Sequence, residues 1–196
     1  MKQKVEEENV FPISKQKTQK GVRKILRSKV LQVLYAFFQN HDDLDRDFSH
    51  IFYREFNFGD NEEVIERLLK PSEVYELEAD VPIIWKDDDV EFAKDLVRFS
   101  VNNFEKIGAM IQESADNWDL ERISLIDKII IVIAASEFMF CPEVPPKVTM
   151  NEALDLAKKY STDKSSFFIN GVIDSIYKKL VNDNAITKAG RGLLNS

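Results

Sequence analysis

Lys20, Arg23, Lys24 and Arg27 are the residues of this sequence whose types and spacing most clearly organise charge toward a ligand. On a helix they fall within an arc of about 100°, beside an apolar stripe, so all four can face one anion while the helix stays docked. Arginine makes bidentate contacts to phosphate and stacks on bases, and the chemistry implied is recognition of a polyanion such as nucleic acid. A solvated basic face on an acidic protein is the alternative, and charge alone does not choose between them. A membrane surface fits less well, because the apolar side of the helix is needed for a core. Phe167 and Phe168 stand together near the start of the last helix, whose stripe needs only one of them. An exposed aromatic beside basic residues would stack an unpaired base; the simpler alternative puts both rings in the core.

Other chemistries find little support. His41 and His50 are the only histidines, Cys141 is the only cysteine, and none has a partner at metal-site spacing. There is no phosphate loop and no dinucleotide fingerprint. The carboxylate clusters "HDDLDRD" and "KDDD" lack an ordered ligand pattern and read as solvated surface. Neither catalysis, nor a cofactor, nor a metal is expected.

The charges are segregated along the chain. Its 196 residues carry a net charge of −7, yet residues 1 to 40 hold nine basic and three acidic side chains, and residues 41 to 89 hold five basic and sixteen acidic. Only the head is built for an anion. One cysteine permits no intrachain disulfide, which fits a reducing compartment. The N-terminus lacks a signal-peptide apolar core, and the longest apolar run, "IIIVIAA", is too short to span a bilayer. A soluble protein of the cytoplasm, with no membrane partner, is the expectation.

The elements that must position the basic residues follow from periodicity. Residues 1–20 read as a flexible basic arm. Val22, Leu26, Val30, Val33 and Phe37 define one face of a helix from Gly21 to about Gln39. Within the acidic stretch, "IFYREF" and "NEEVIERLLK" look helical, and residues 72–88 read as a long loop. "DVEFAKDLVRFSVNNFEKIGAMIQESA" reads as one helix. "ISLIDKIIIVIAASEFMF", apolar almost all round, predicts a helix at the centre of a bundle. In "VTMNEALDLAKKY", Thr149 and Glu152 have capping-box spacing, Val148 is placed to staple onto Ala153, and Met150, Ala153, Leu154 and Ala157 form the expected stripe. The last helix, about Ser165 to Val181, should bury Phe168, Val172, Ile176 and Leu180, with Gly171 permitting close approach of another backbone. Residues 183–196 read as a frayed tail.

"VPPKVTMNEALDLAKKYSTDKSSFFINGVIDSI" strongly resembles the C-terminal signature of the NusB family of transcription antitermination factors. "RKILRSKVLQVLYAF" resembles the arginine-rich head of that family, and "IDKIIIVIAASEF" its central helix. The resemblance implies an all-α, NusB-like helical bundle of two packed helical subdomains, forming a single domain over residues 21–182. Residues 41–89 are then an acidic insert longer than expected for the family. It implies a non-catalytic factor that binds single-stranded boxA RNA in nascent transcripts such as ribosomal RNA. Its partner would be the ribosomal protein NusE, with an indirect place in the RNA polymerase antitermination complex; family members differ in whether they form homodimers.

Arg23, Lys24 and Arg27 match the arginine-rich motif, Phe168 the aromatic of an F-x-N-G block near the RNA, and Asn170 and Gly171 its N-G. Asp127 matches an acidic position associated with NusE binding. Phe168 and Gly171 have packing roles as alternatives, and Asn151 with Glu152 a role in starting the helix. Val132 and Phe167 replace basic residues common in relatives, which puts an identical RNA footprint in doubt. A protein-only adaptor that docks basic ribosomal proteins during subunit assembly is the competing function.

Overall fold

The structure, a computed structural model, describes residues 19–20, 22–40, 43–53, 83–114 and 123–193. The arm before Gln19 and the stretch 54–82, including "NEEVIERLLK", lie outside the described residues. The helices are α1 (Arg23–Asn40), α2 (Leu44–Tyr53), α3 (Asp87–Asn102), α4 (Phe104–Ser114), α5 (Leu125–Phe140), α6 (Pro146–Tyr160) and α7 (Asp163–Asn182). A 3₁₀ turn at Gly190–Leu193 follows α7. Two short strands, β1 (Gln19–Lys20) and β2 (Ile83–Ile84), pair in parallel, so the last two residues of the expected arm belong to a ladder.

Every residue of α5 from Ile129 to Phe138 is buried. A helix apolar round its whole circumference is satisfied only in the middle of a bundle, and α5 touches α1, α3, α4, α6 and α7. Ser124 starts it, its hydroxyl accepting from the Asp127 amide at 3.1 Å. α1 packs with α2 and α3, α6 packs with α7, and α5 joins both groups. The fold is thus all-α, as the resemblance implied. From α1, Leu26, Val30 and Val33 enter the core, whereas Val22 stays half exposed at the helix start. From α7, Phe168, Val172, Ile176 and Leu180 are buried as their spacing predicts.

Four local expectations are corrected. The helix expected over residues 89–115 is broken at Asn103, whose side-chain amide donates to the Phe99 carbonyl at 2.9 Å and competes with the helical ladder. α6 begins at Pro146, whose ring fixes φ for a first helical position, so Thr149 lies inside the helix and caps nothing. Its hydroxyl instead donates to Glu137 Oε2 at 2.8 Å, and Val148 is exposed rather than stapled. Nothing lies within 4 Å of where a Cβ would sit on Gly171, so that glycine admits no neighbouring backbone.

The tail is the fourth. Lys188 donates to the carbonyls of Glu137 and Cys141, at 3.3 and 3.0 Å, and Ala189 N–H donates to the Pro142 carbonyl at 3.1 Å. The ammonium thereby adds a positive charge at the C-terminal end of α5, the negative end of the helix dipole, beside carbonyls that also accept the amides of Cys141 and Val144. Gly190 adopts φ +52°, and a Cβ on Gly192 would stand 1.8 Å from the Pro142 oxygen, so the turn requires glycine at both.

Burial pushes the thiol of Cys141 up to about 12, with Glu137 adding to the shift. At pH 8.5 the thiolate is then roughly a thousandfold scarcer than for a free cysteine. Ellman's reagent should label the native protein at least a hundredfold more slowly than the unfolded chain; comparable rates would show that the thiol is accessible and unshifted.

Candidate nucleic-acid interface

α1 opens on Arg23 and Lys24, side chains whose charged ends reach across to carboxylates on neighbouring helices. Arg23 Nε lies 2.9 Å from Asp89 Oδ1 on α3, and its guanidinium sits 3.9 Å over the Phe92 ring. Lys24 Nζ lies 2.6 Å from Asp155 Oδ2 on α6. The hydrogen bond and charge of Asp155 hold the Lys24 ammonium above its ordinary range, and the same bond holds the Asp155 carboxyl below its own. Both cations remain accessible, at 45% exposure for Arg23 and 64% for Lys24. The Lys24–Asp155 pair is exposed on both sides and contributes little to stability, so a phosphate can replace its carboxylate at small cost. Asp89, at 14% exposure, is more enclosed, and it is the guanidinium of Arg23 that faces solvent.

Arg27 does not share that surface. Only 4% exposed, its Nε donates to Glu137 Oε1 at 2.6 Å and its Nη2 to Oε2 at 3.2 Å, beneath the first turn of α1. Glu137 is itself fully buried, and its Oε2 also accepts from Thr149. Burial opposes the charge of Arg27, but the carboxylates of Glu137 and Glu152 outweigh it and hold the guanidinium above its usual range. The four-residue arc expected from spacing is thus reduced. Arg27 ties α1 to α5 and α6, and Lys20 lies in β1 rather than on the helix, its backbone paired with Ile84.

At the other side of α6 the corner into α7 is capped by Thr162, whose hydroxyl accepts from the Ser165 amide at 3.1 Å. Phe168 faces inward at 6% exposure, while Phe167 is 80% exposed, so the two aromatics divide the roles that the sequence left open between them. Asn170 is exposed beside Phe167. The Asp127 carboxylate, only 6% exposed, accepts from the Ser161 hydroxyl at 2.5 Å and from Ser165 at 3.0 Å. Turned inward in this way, the Asp127 carboxylate holds the α6–α7 corner together.

Sequence periodicity missed the Arg27–Glu137 pair, although Glu137 signalled it: a carboxylate inside an otherwise apolar central helix must meet a cation. Among the described residues, no group of histidine, cysteine or acidic side chains could hold a metal ion. No helix among them is long and apolar enough to cross a membrane.

The model of the NusB family matches residues 24–178. The transcription antitermination protein NusB of Salinibacter ruber is 33% identical over 172 residues, 88% of this chain and 91% of that protein. That of Chloroherpeton thalassium is 41% identical over 105 residues, so in this match the chain spans half that relative's length. Among solved structures, NusB of T. maritima superposes with a TM-score of 0.60 at 25% identity, covering 82% of this chain and 94% of that one. A crystal structure of antitermination factors NusB and NusE in complex with dsRNA superposes with a TM-score of 0.57 at 24% identity, covering 80% and 96%.

Proposed function

This chain belongs to the NusB family, and from that premise we propose that it is an RNA-binding transcription antitermination factor. It acts in the cytoplasm with the ribosomal protein NusE, and its RNA is a single-stranded boxA-type element of nascent transcripts such as ribosomal RNA. The observation that carries this is the exposed Arg23–Lys24 pair, standing where the family's arginine-rich head resembles this sequence. Each cation exchanges a carboxylate, Asp89 or Asp155, for an RNA phosphate. Arg27 serves from beneath by fixing the helix that presents them.

An acidic body with a basic head suits this task. RNA is drawn to the head, while the net charge of −7 favours a basic protein partner elsewhere on the surface. The α6–α7 corner buttressed by Asp127 is the proposed contribution of that carboxylate to partner binding.

Thermodynamic linkage supplies the test. If both ligands belong to one complex, NusE should tighten RNA binding by the same factor by which RNA tightens NusE binding, expected at about ten-fold. Isothermal titration of each ligand with and without the other measures both factors. NusE binding that RNA neither needs nor strengthens would replace this function with that of a protein-only adaptor.

A further inference from the structure

We propose that Phe167 is the platform on which this protein stacks an unpaired RNA base, an inference that rests on the RNA-binding function above. Of the large apolar side chains in the described residues, Phe167 is the most exposed, at 80% against 60% for Ile84. Its neighbours on the α7 surface are Lys164 one turn before, Asn170 nearly one turn after and Gly171 four residues on, all exposed. The space above Gly171 is open, so no side chain crowds the ring from that direction. A planar base can therefore lie against the ring, with the Asn170 amide able both to donate to and to accept from its edge.

Charge around the corner fits the same ligand. Lys158, Lys159 and Lys164 are exposed within seven residues, against Asp163 alone on the acidic side. They supply cations for the phosphates flanking a stacked base. A protein would use this surface differently. The next exposed large apolar side chain on α7 is Val181, about 21 Å along the axis, so α7 itself adds no second exposed apolar group beside Phe167. Phe168, buried at 6%, has no face to offer a base.

Phe167→Ala and Phe167→Tyr test this in the full chain, with fluorescence anisotropy of a fluorescein-labelled single-stranded boxA-type RNA and of its duplex. The alanine variant should bind the single strand about ten-fold more weakly, bind the duplex as the unaltered protein does, and melt at an unchanged temperature. The tyrosine variant should stay within about two-fold on the single strand, because its ring stacks equally well. Unchanged single-strand affinity in the alanine variant would overturn the proposal while leaving RNA binding intact. An equal loss on both RNAs would also overturn it, as would a loss of NusE affinity with RNA affinity unchanged, which would mark a protein contact. Failure of the unaltered protein to bind RNA would overturn the RNA-binding function itself.

Discussion

Arg27→Ala should destabilise the protein by about 3–5 kcal/mol, the usual consequence of removing one partner of a buried ion pair. For a chain of this size that corresponds to a fall in melting temperature of roughly 6–20 °C. The cause is Glu137, left fully buried with the Thr149 hydroxyl as the hydrogen bond to its carboxylate among the described residues. Glu137→Gln should also destabilise, though by less, because the buried Arg27 guanidinium keeps Glu152 at 3.9 Å. Arg27→Met combined with Glu137→Leu should recover most of the loss, since a well-packed apolar pair replaces a buried ion pair at little cost. Arg27→Lys is not conservative here, because an ammonium cannot make the two-pronged contact to Oε1 and Oε2. Thermal melts followed by circular dichroism decide the matter. A fall of less than about 2 °C for Arg27→Ala would show that the guanidinium is not what holds the head of α1 to α5 and α6.

Arg23→Ala with Lys24→Ala should do the opposite, sparing the fold and weakening RNA binding. Both side chains are exposed, and their carboxylate partners lie on separate helices already held by the core. Two phosphate contacts to a single strand contribute about 1.4 to the slope of log affinity against log salt. At 0.1 M salt their loss corresponds to about a 25-fold weaker complex. The double variant should therefore show both the weaker affinity and the shallower slope, with a melting temperature within a few degrees of the unaltered protein. Affinity and slope unchanged by the double substitution would remove Arg23 and Lys24 from the interface.

The contrast between these variants shows what a helical arc conceals. Spacing placed Arg23, Lys24 and Arg27 within one arc of α1, but the helix rolls so that Arg27 lies buried over Glu137 while the first two residues stay at the exposed rim. Periodicity reports angle along one helix, not which neighbour covers that angle. The same limit explains Thr149, whose capping-box spacing with Glu152 was overridden by Pro146, and Asn103, whose side chain ends α3 inside an unbroken apolar period. The tail was illegible for a related reason: the groups that hold Lys188 and Ala189 are backbone carbonyls at the end of α5, some fifty residues earlier in the chain, and carry no side-chain signature. Where the apolar pattern was dense, as in α5 and along Phe168, Val172, Ile176 and Leu180, it was enough to place the core. The stripe favoured Phe168 as the buried ring, but whether Phe167 beside it packs against a neighbour or faces solvent is not a matter of period.

The most direct measurement is the affinity of the unaltered protein for a labelled boxA-type RNA, beside a scrambled RNA of equal length, between 50 and 200 mM salt as an order-of-magnitude range over which phosphate contacts are felt. Tighter binding to the boxA-type strand, weakening steadily as salt rises, is the predicted result. Equal and feeble binding to both strands, with no salt dependence, would contradict an RNA-holding head on α1.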